Sequence, residues 1–347
     1  MREGRTTVYN KITSPELLAN VNPENIKLEE DFLEYMESIS RSPNTIKQYE
    51  YNLHIFWVWN LEHNSNKSFI SITKREFAKF QNHCINEWGW SPRRVRTVKA
   101  TLSSLSNVIE SIFDDEYEDY RSAVRKIESP PDKTVREKTV FEMSDFQELL
   151  DKLVEKKEYM KACVLSLAIN SGKRKAELTR FKASYFNDEN LICGGALYKM
   201  PEKMVAKGRG ANGKLIDVYV LAKPFKYFLN LWLEERERLG IESDWLFPKC
   251  VNGEWIDEHI EIAQMNAMAN YFSKLSGKNF YFHACRHFQT SYLLDQNLPE
   301  SVVQMFHSWE SSEMVRVYDD RTNDSQLEKY FGEDGVKQIE KGSLENL

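Results

Sequence analysis

The 347-residue sequence has no apolar run approaching the roughly 20 residues that span a bilayer, and no transmembrane helix is expected. Its first residues, Met1-Arg2-Glu3-Gly4-Arg5, lack the apolar stretch of a signal peptide. The five cysteines, at positions 84, 163, 193, 250 and 285, contain no Cys-x-x-Cys pair; this reads as reduced thiols in a cytosol and gives no zinc signature. Gly208-Arg209-Gly210 resembles a phosphate cradle, but the Gly-Lys-Ser/Thr of a P-loop is missing. His283 and His287 lie four apart without the Glu of His-Glu-x-x-His, so neither a metal nor a cofactor is expected. A positive net charge is also missing: the formal charge is −6. That weighs against nucleic acid, whose affinity comes from Lys and Arg meeting phosphates, unless the cations are clustered.

They are clustered. Acid collects in stretches such as 114–119, while Arg93, Arg94, Arg96 and Lys99 crowd within two turns of one segment. Hydrophobic residues make up 41% and aromatics 12%, which describes a globular chain long enough for two domains, each with its own core. Residues 1–27 are polar and turn-rich and read as an extension that packs on a neighbour or stays mobile. From Ile26 to about Ile112 the pattern is helical. Phe32, Leu33, Tyr35 and Met36 begin one amphipathic run, and Ser42-Pro43 opens another through Leu53, Phe56, Trp57 and Trp59. Thr73 to Glu76 is a capping box, and Ser91-Pro92 opens the basic helix, whose stripe continues through Leu102, Leu105 and Ile109. Residues 127–139, around Ser129-Pro130-Pro131, form the linker candidate.

Beyond the linker, Ser144 and Gln147 have the spacing of a capping box, and 163–169 reads as a buried helix running into Ser171-Gly172-Lys173-Arg174-Lys175-Ala176-Glu177-Leu178. Residues 203–213 signal a hairpin, after which 214–221 alternates like a strand. Helices are expected over 224–239 and about 260–275. Then comes His283-Ala284-Cys285-Arg286-His287, with His283 and Arg286 on one helical face. Leu293, Leu294, Val302, Val303, Met305 and Phe306 read as the core side of the helices that follow, with Asn297 as a cap and Pro299 in a first turn. Ser311 and Ser312 offer a cap for a short helix carrying Tyr318, and Asp324-Ser325 for a last one with Leu327, Tyr330 and Phe331.

His-x-x-Arg alone occurs widely. Followed by Trp309 at 23 residues and Tyr318 at nine more, it resembles the C-terminal box of the tyrosine recombinases, the phage integrase family. Ser171 to Leu178 resembles the family's first arginine box, with Arg174 in the catalytic place and Lys173 where an apolar residue is usual. Lys207, on the hairpin, matches the family's catalytic lysine, with Lys203 and Lys214 as alternatives. The resemblance spans about residues 28–331.

It implies a mainly α fold in two domains. Residues 28–126 would form a helical core-binding (SAM-like) DNA-binding domain, half of a clamp around duplex DNA. Residues 140–347 would form an α+β catalytic domain with a small antiparallel sheet and a C-terminal helix and tail. The implied catalytic residues are Arg174, Lys207, His283, Arg286, Trp309 and Tyr318, and the implied DNA-binding residues are Lys47, Arg93, Arg94, Arg96, Lys99 and Arg209. The implied activity is site-specific recombination through a 3′-phosphotyrosyl intermediate without cofactor, by a homo-tetramer on double-stranded DNA in a bacterial cytoplasm at the nucleoid. A directionality factor is a possible further partner. The leaning is to the integrase of a phage or mobile element. A chromosome-dimer resolvase, a type IB topoisomerase and a non-cleaving regulator on the same fold stay open.

Overall fold

A computed structural model of the chain describes residues 8–131, 139–206, 213–332 and 335–336. The described residues form two units, one from 8–131 and one from 139–336.

The first unit is helical: α1 (Val8–Ile12), α2 (Pro15–Leu18), α3 (Pro23–Ser38), α4 (Pro43–His63), α5 (Lys74–Asn86) and α6 (Pro92–Ser111). Asn22, Ser42 and Ser91 each cap a helix whose first residue is proline, where the missing N–H has no partner to lose. Thr73 and Glu76 close the expected capping box on α5. Phe56 lies at the centre of the core, stacked on Phe77 at 5.5 Å and edge-on to Phe80 at 4.9 Å. Of the segment expected to pack on a neighbour or stay mobile, residues 1–7 lie outside the described residues, and residues 8–27 pack within their own unit. Tyr9 stacks on Tyr51 of α4, its hydroxyl bonds His54 Nδ1 at 2.7 Å, and Val21 is buried. Single apolar residues at irregular spacing carry no periodic signal, which hid this packing.

In the second unit α8 (Tyr159–Ser171) is buried on all sides from Ala162 to Ser171, between α7 (Met143–Glu155), α10 (Ala222–Arg238) and α12 (Phe282–Asp295). The short α9 is Lys175–Leu178 and α11 is Ile262–Ser276. The tail of the unit carries α13 (Glu300–His307), α14 (Glu313–Tyr318) and α15 (Asn323–Tyr330). The strands are short and antiparallel. β1 (Leu191–Ile192), β2 (Leu197–Lys199) and β5 (Tyr219–Leu221) form one sheet in the order β1-β2-β5, and β3 (Met204–Ala206) pairs with β4 (Lys214–Ile216). β6 (Pro248–Val251) pairs with β7 (Glu254–His259), and β8 (Phe331–Gly332) with β9 (Gly335–Val336). The mainly helical class is as expected, with several small ladders in place of one sheet.

Other expectations are corrected. The continuous strand over 214–221 breaks at Asp217 into β4 and β5, which pair in different sheets. The cap of α7 is Glu142 with Asp145, two residues before the expected Ser144 box. Asn297 takes a positive φ of 61° and ends the turn after α12, while Pro299 itself is the N-cap of α13. Val302 and Met305 face outward, Met305 63% exposed, because an eight-residue helix offers only one side to the core. Leu327, Tyr330 and Phe331 are likewise exposed.

Gly172 ends α8 in the left-handed conformation, with φ 56°. A Cβ there would stand 2.0 Å from Gln289 Oε1 and 2.5 Å from His307 Cε1. Gly172→Ala is therefore expected to lower stability by about 2 kcal/mol or more, since strain at positive φ and overpacking add. Urea unfolding of the variant checks this.

Candidate active site

Each side chain of the site owes its place to an element end. Leaving α8 through Gly172, the chain turns outward as extended residues, and Arg174 caps α9. Its backbone N–H and its Nη1 both donate to Glu177, at 2.8 and 2.9 Å. This bracing by a buried carboxylate fixes the guanidinium while leaving a third of the side chain open. From α12, positions 283, 286 and 287 share one face. The turn after α13, with Ser308 left-handed at φ 55°, presents Trp309, and the last residue of α14 is Tyr318.

The structure brings Arg174, His283, Arg286, Trp309 and Tyr318 together. Tyr318 Oη lies 2.9 Å from His283 Nε2. Its ring stacks on Trp309 at 5.1 Å, nearly parallel at 17°, and Trp309 stacks in turn on His307 at 4.3 Å. The Arg286 guanidinium sits 4.8 Å from the indole centroid and 5.2 Å from the phenol centroid. His287 packs on the phenol at 4.6 Å and reaches Asp320 at 3.2 Å from Nδ1.

Arg286 is 1% exposed. Its Nη1 donates to the Gly172 carbonyl at 2.9 Å, whereas its Nε and Nη2, and Trp309 Nε1, have no hydrogen-bond acceptor among the described residues. Buried donors are ordinarily paired, so three donor nitrogens without an acceptor, on an Arg286 and a Trp309 that both pack on the phenol, mark a place for an anionic acceptor. Burial, then the nearby Arg174 charge, pushes the Arg286 pKa down to about 10, so it remains a cation at neutral pH.

Lys207 and Arg209 lie outside the described residues. Lys203 is exposed, and Lys214 pairs with Glu310 at 2.8 Å. In the first unit Lys47 and Arg93 are exposed. Their basic neighbours are engaged: Arg94 stacks on Trp90 at 4.9 Å, Arg96 donates to the Pro130 carbonyl at 2.7 Å, and Lys99 holds Ile127 O and Ser129 Oγ. Sequence reading missed the polar layer under the site, made of Gln289, Thr290 and His307. The available signal was helical spacing, since Gln289 and Thr290 stand three and four residues after Arg286.

Comparison with known proteins bears on this arrangement. The XerH site-specific recombinase, solved bound to a palindromic difH substrate in a post-cleavage complex, matches 82% of this chain and 78% of its own, with TM-score 0.62 at 18% identity. The Tn1549 transposon integrase in complex with a circular intermediate DNA matches 87% and 98%, with TM-score 0.60 at 15% identity. A lambda integrase tetramer bound to a Holliday junction matches 85% and 76%, with TM-score 0.61 at 15% identity. At such identities the likeness is one of fold, and the fold is that of the tyrosine recombinases. Residues 139–324 match the phage integrase family and residues 28–119 its N-terminal SAM-like domain. Over 234 residues the chain is 30% identical to the SPbeta prophage-derived recombinase-like protein YomM of Bacillus subtilis (strain 168), covering 65% of this chain and 68% of that one. The chain belongs to the phage integrase family and is a site-specific recombinase.

Proposed function

We propose that this recombinase cuts and rejoins DNA through a 3′-phosphotyrosyl bond, as the integrase of a phage or other mobile element. The observation that carries the reading is Tyr318 Oη at 2.9 Å from His283 Nε2, over an Arg286 with two N–H groups to spare. Tyr318 attacks the phosphorus while His283 accepts or shares the phenolic proton. Arg174 and Arg286 hold the non-bridging oxygens, where charge grows in the transition state, and rigid, partly dry donors stabilise it without reorganising. Trp309 adds one neutral N–H. The 5′-oxygen leaves with a proton from Lys207, or from Lys203 or Lys214 in its stead. The phosphodiester energy is kept in the tyrosyl bond, so a second 5′-hydroxyl can reverse the step without ATP. Tyr318 lies in its own chain's pocket, which supports attack in cis.

Lys47, whose Nζ lies 5.5 Å from the Tyr51 ring centroid, and Arg93, both exposed on helices of the first unit, are proposed to meet DNA phosphates. Arg209 is proposed with them, and Arg94, Arg96 and Lys99 from the faces they leave open. We take residues 28–126 and 140–347 as the two halves of the clamp, with 127–139 joining them. The prophage origin in the name of YomM supports the mobile-element role, and the tetramer in the lambda integrase structure supports assembly of four copies on two duplexes. Among the described residues no helix is long and apolar enough to cross a membrane. The reading is tested with a nicked duplex carrying the element's junction sequence. A protein–DNA adduct that survives detergent, in buffer with chelator, is expected. Sequence-specific binding without an adduct makes the protein a regulator, and relaxation of plasmids lacking the junction makes it a topoisomerase.

A further inference from the structure

One charged group under the site has no part in the mechanism above. Lys173 is 1% exposed. Its Nζ donates to the Phe306 carbonyl at 3.5 Å, the outer limit of a hydrogen bond, and no carboxylate among the described residues forms an ion pair with it. The nearby carboxylate of Glu177 is committed to Arg174 by both oxygens, and Asp217, in the turn between β4 and β5, acts on Lys173 only through space. Facing it from the other elements are Arg174 before α9, Arg286 on α12 and His307 on α13. A buried ammonium among two guanidiniums, with no carboxylate paired to it among the described residues, is a costly arrangement. An entering phosphate supplies the missing negative charge.

We infer that Lys173 is a positioning residue that takes a proton from solvent when a phosphate enters the Arg174–Arg286 pocket. The inference rests on that pocket being the phosphate site. Its geometry gives the proton a purpose. Phe306 lies in the last turn of α13, whose end carries Trp309, and a cation is favoured at a helix C-terminus. The charged amine ties this turn to the loop bearing Arg174 once the phosphate is seated. Burial first, then Arg286, pushes the Lys173 pKa down to about 7 from its ordinary 10.5, so the amine is mostly uncharged only above neutral pH. Between those values the unfolded chain holds a proton that the folded chain has released, so this group makes stability rise with pH over that window. His307 stays neutral throughout, because burial and the same cations hold its pKa well below the usual imidazole range.

The test uses the full chain with lysine labelled at Cε, sodium sulfate as the probe, and ionic strength held constant. Sulfate keeps its charge across the range, so it brings no proton of its own. In the free protein the Cε signal that disappears in Lys173→Met is expected to titrate near neutral pH. With sulfate bound, as reported by the Arg174 and Arg286 side-chain N–H signals, its midpoint moves up by about one unit or more. Sulfate affinity of the unmodified protein then falls about tenfold between about pH 7 and about pH 9, and that of Lys173→Met stays level. Bound sulfate with an unmoved Lys173 midpoint overturns the inference and leaves the recombinase reading standing. A site that takes no sulfate removes the phosphate pocket itself, and both readings with it.

Discussion

Tyr318→Phe is expected to abolish the covalent protein–DNA adduct and to lower strand cleavage by at least about a thousandfold. The change is narrow. Phenylalanine keeps the ring that stacks on Trp309 at 5.1 Å and on Arg286, and removes only the oxygen at 2.9 Å from His283. The lost hydrogen bond costs about 1 kcal/mol of stability, small beside the folding free energy of such a unit. Binding to the junction duplex should therefore persist, because the substitution leaves Arg174, Arg286 and the cations of the first unit, proposed to meet phosphates, untouched. Sixteen tyrosines are present, so residue type alone could not single this one out. An adduct surviving in Tyr318→Phe assigns the nucleophile to another residue and refutes the proposed site.

Arg286→Ala should be nearly as damaging to cleavage, for a different reason. Each well-placed donor at a developing oxyanion contributes roughly 3 kcal/mol, or about a hundredfold in rate. Nε and Nη2 both lack a hydrogen-bond acceptor among the described residues, so if both serve the phosphate as proposed, a loss of about ten-thousandfold is expected, with DNA binding still measurable by electrophoretic shift. Arg286→Lys should recover little of it. A lysine restores charge but not the fork that spans the Gly172 carbonyl and a phosphate at once. Undiminished adduct formation by the alanine variant removes the pocket assignment. Because the guanidinium also underlies Trp309 and Tyr318, circular dichroism should accompany the assay, and the lysine variant separates lost charge from lost packing.

Much of this was legible in the sequence, and the exceptions share a physical cause. Proline after serine or asparagine announces a helix start from local chemistry alone, and Ser42-Pro43 and Ser91-Pro92 behave as read. The ordered spacing of Arg174, His283, Arg286, Trp309 and Tyr318 named residues that the fold gathers from four separate element ends. The ladder of β6 and β7 escaped notice, because the alternation over residues 248–259 is slight. The basic helix was read as one surface, yet Arg94, Arg96 and Lys99 turn to Trp90, Pro130 and Ile127. Periodicity tells which side of a helix a residue occupies, and not which neighbour will claim a long side chain there. Lys173 stood out as a departure from the family pattern, but only tertiary packing makes it a buried amine.

The flat stack of Trp309 against Tyr318 restricts the reaction's geometry in space. An indole lies along one side of the phenol ring, nearly parallel at 17°, so a tilt of the phenol toward that side would meet the indole face. If Tyr318 is the nucleophile, as proposed, its oxygen approaches phosphorus along the plane of that stack, and an in-line displacement turns the phosphate inside out like an umbrella. Rejoining retraces the path and turns it back. Over a full round of cutting and sealing, the handedness at phosphorus is returned as it was found.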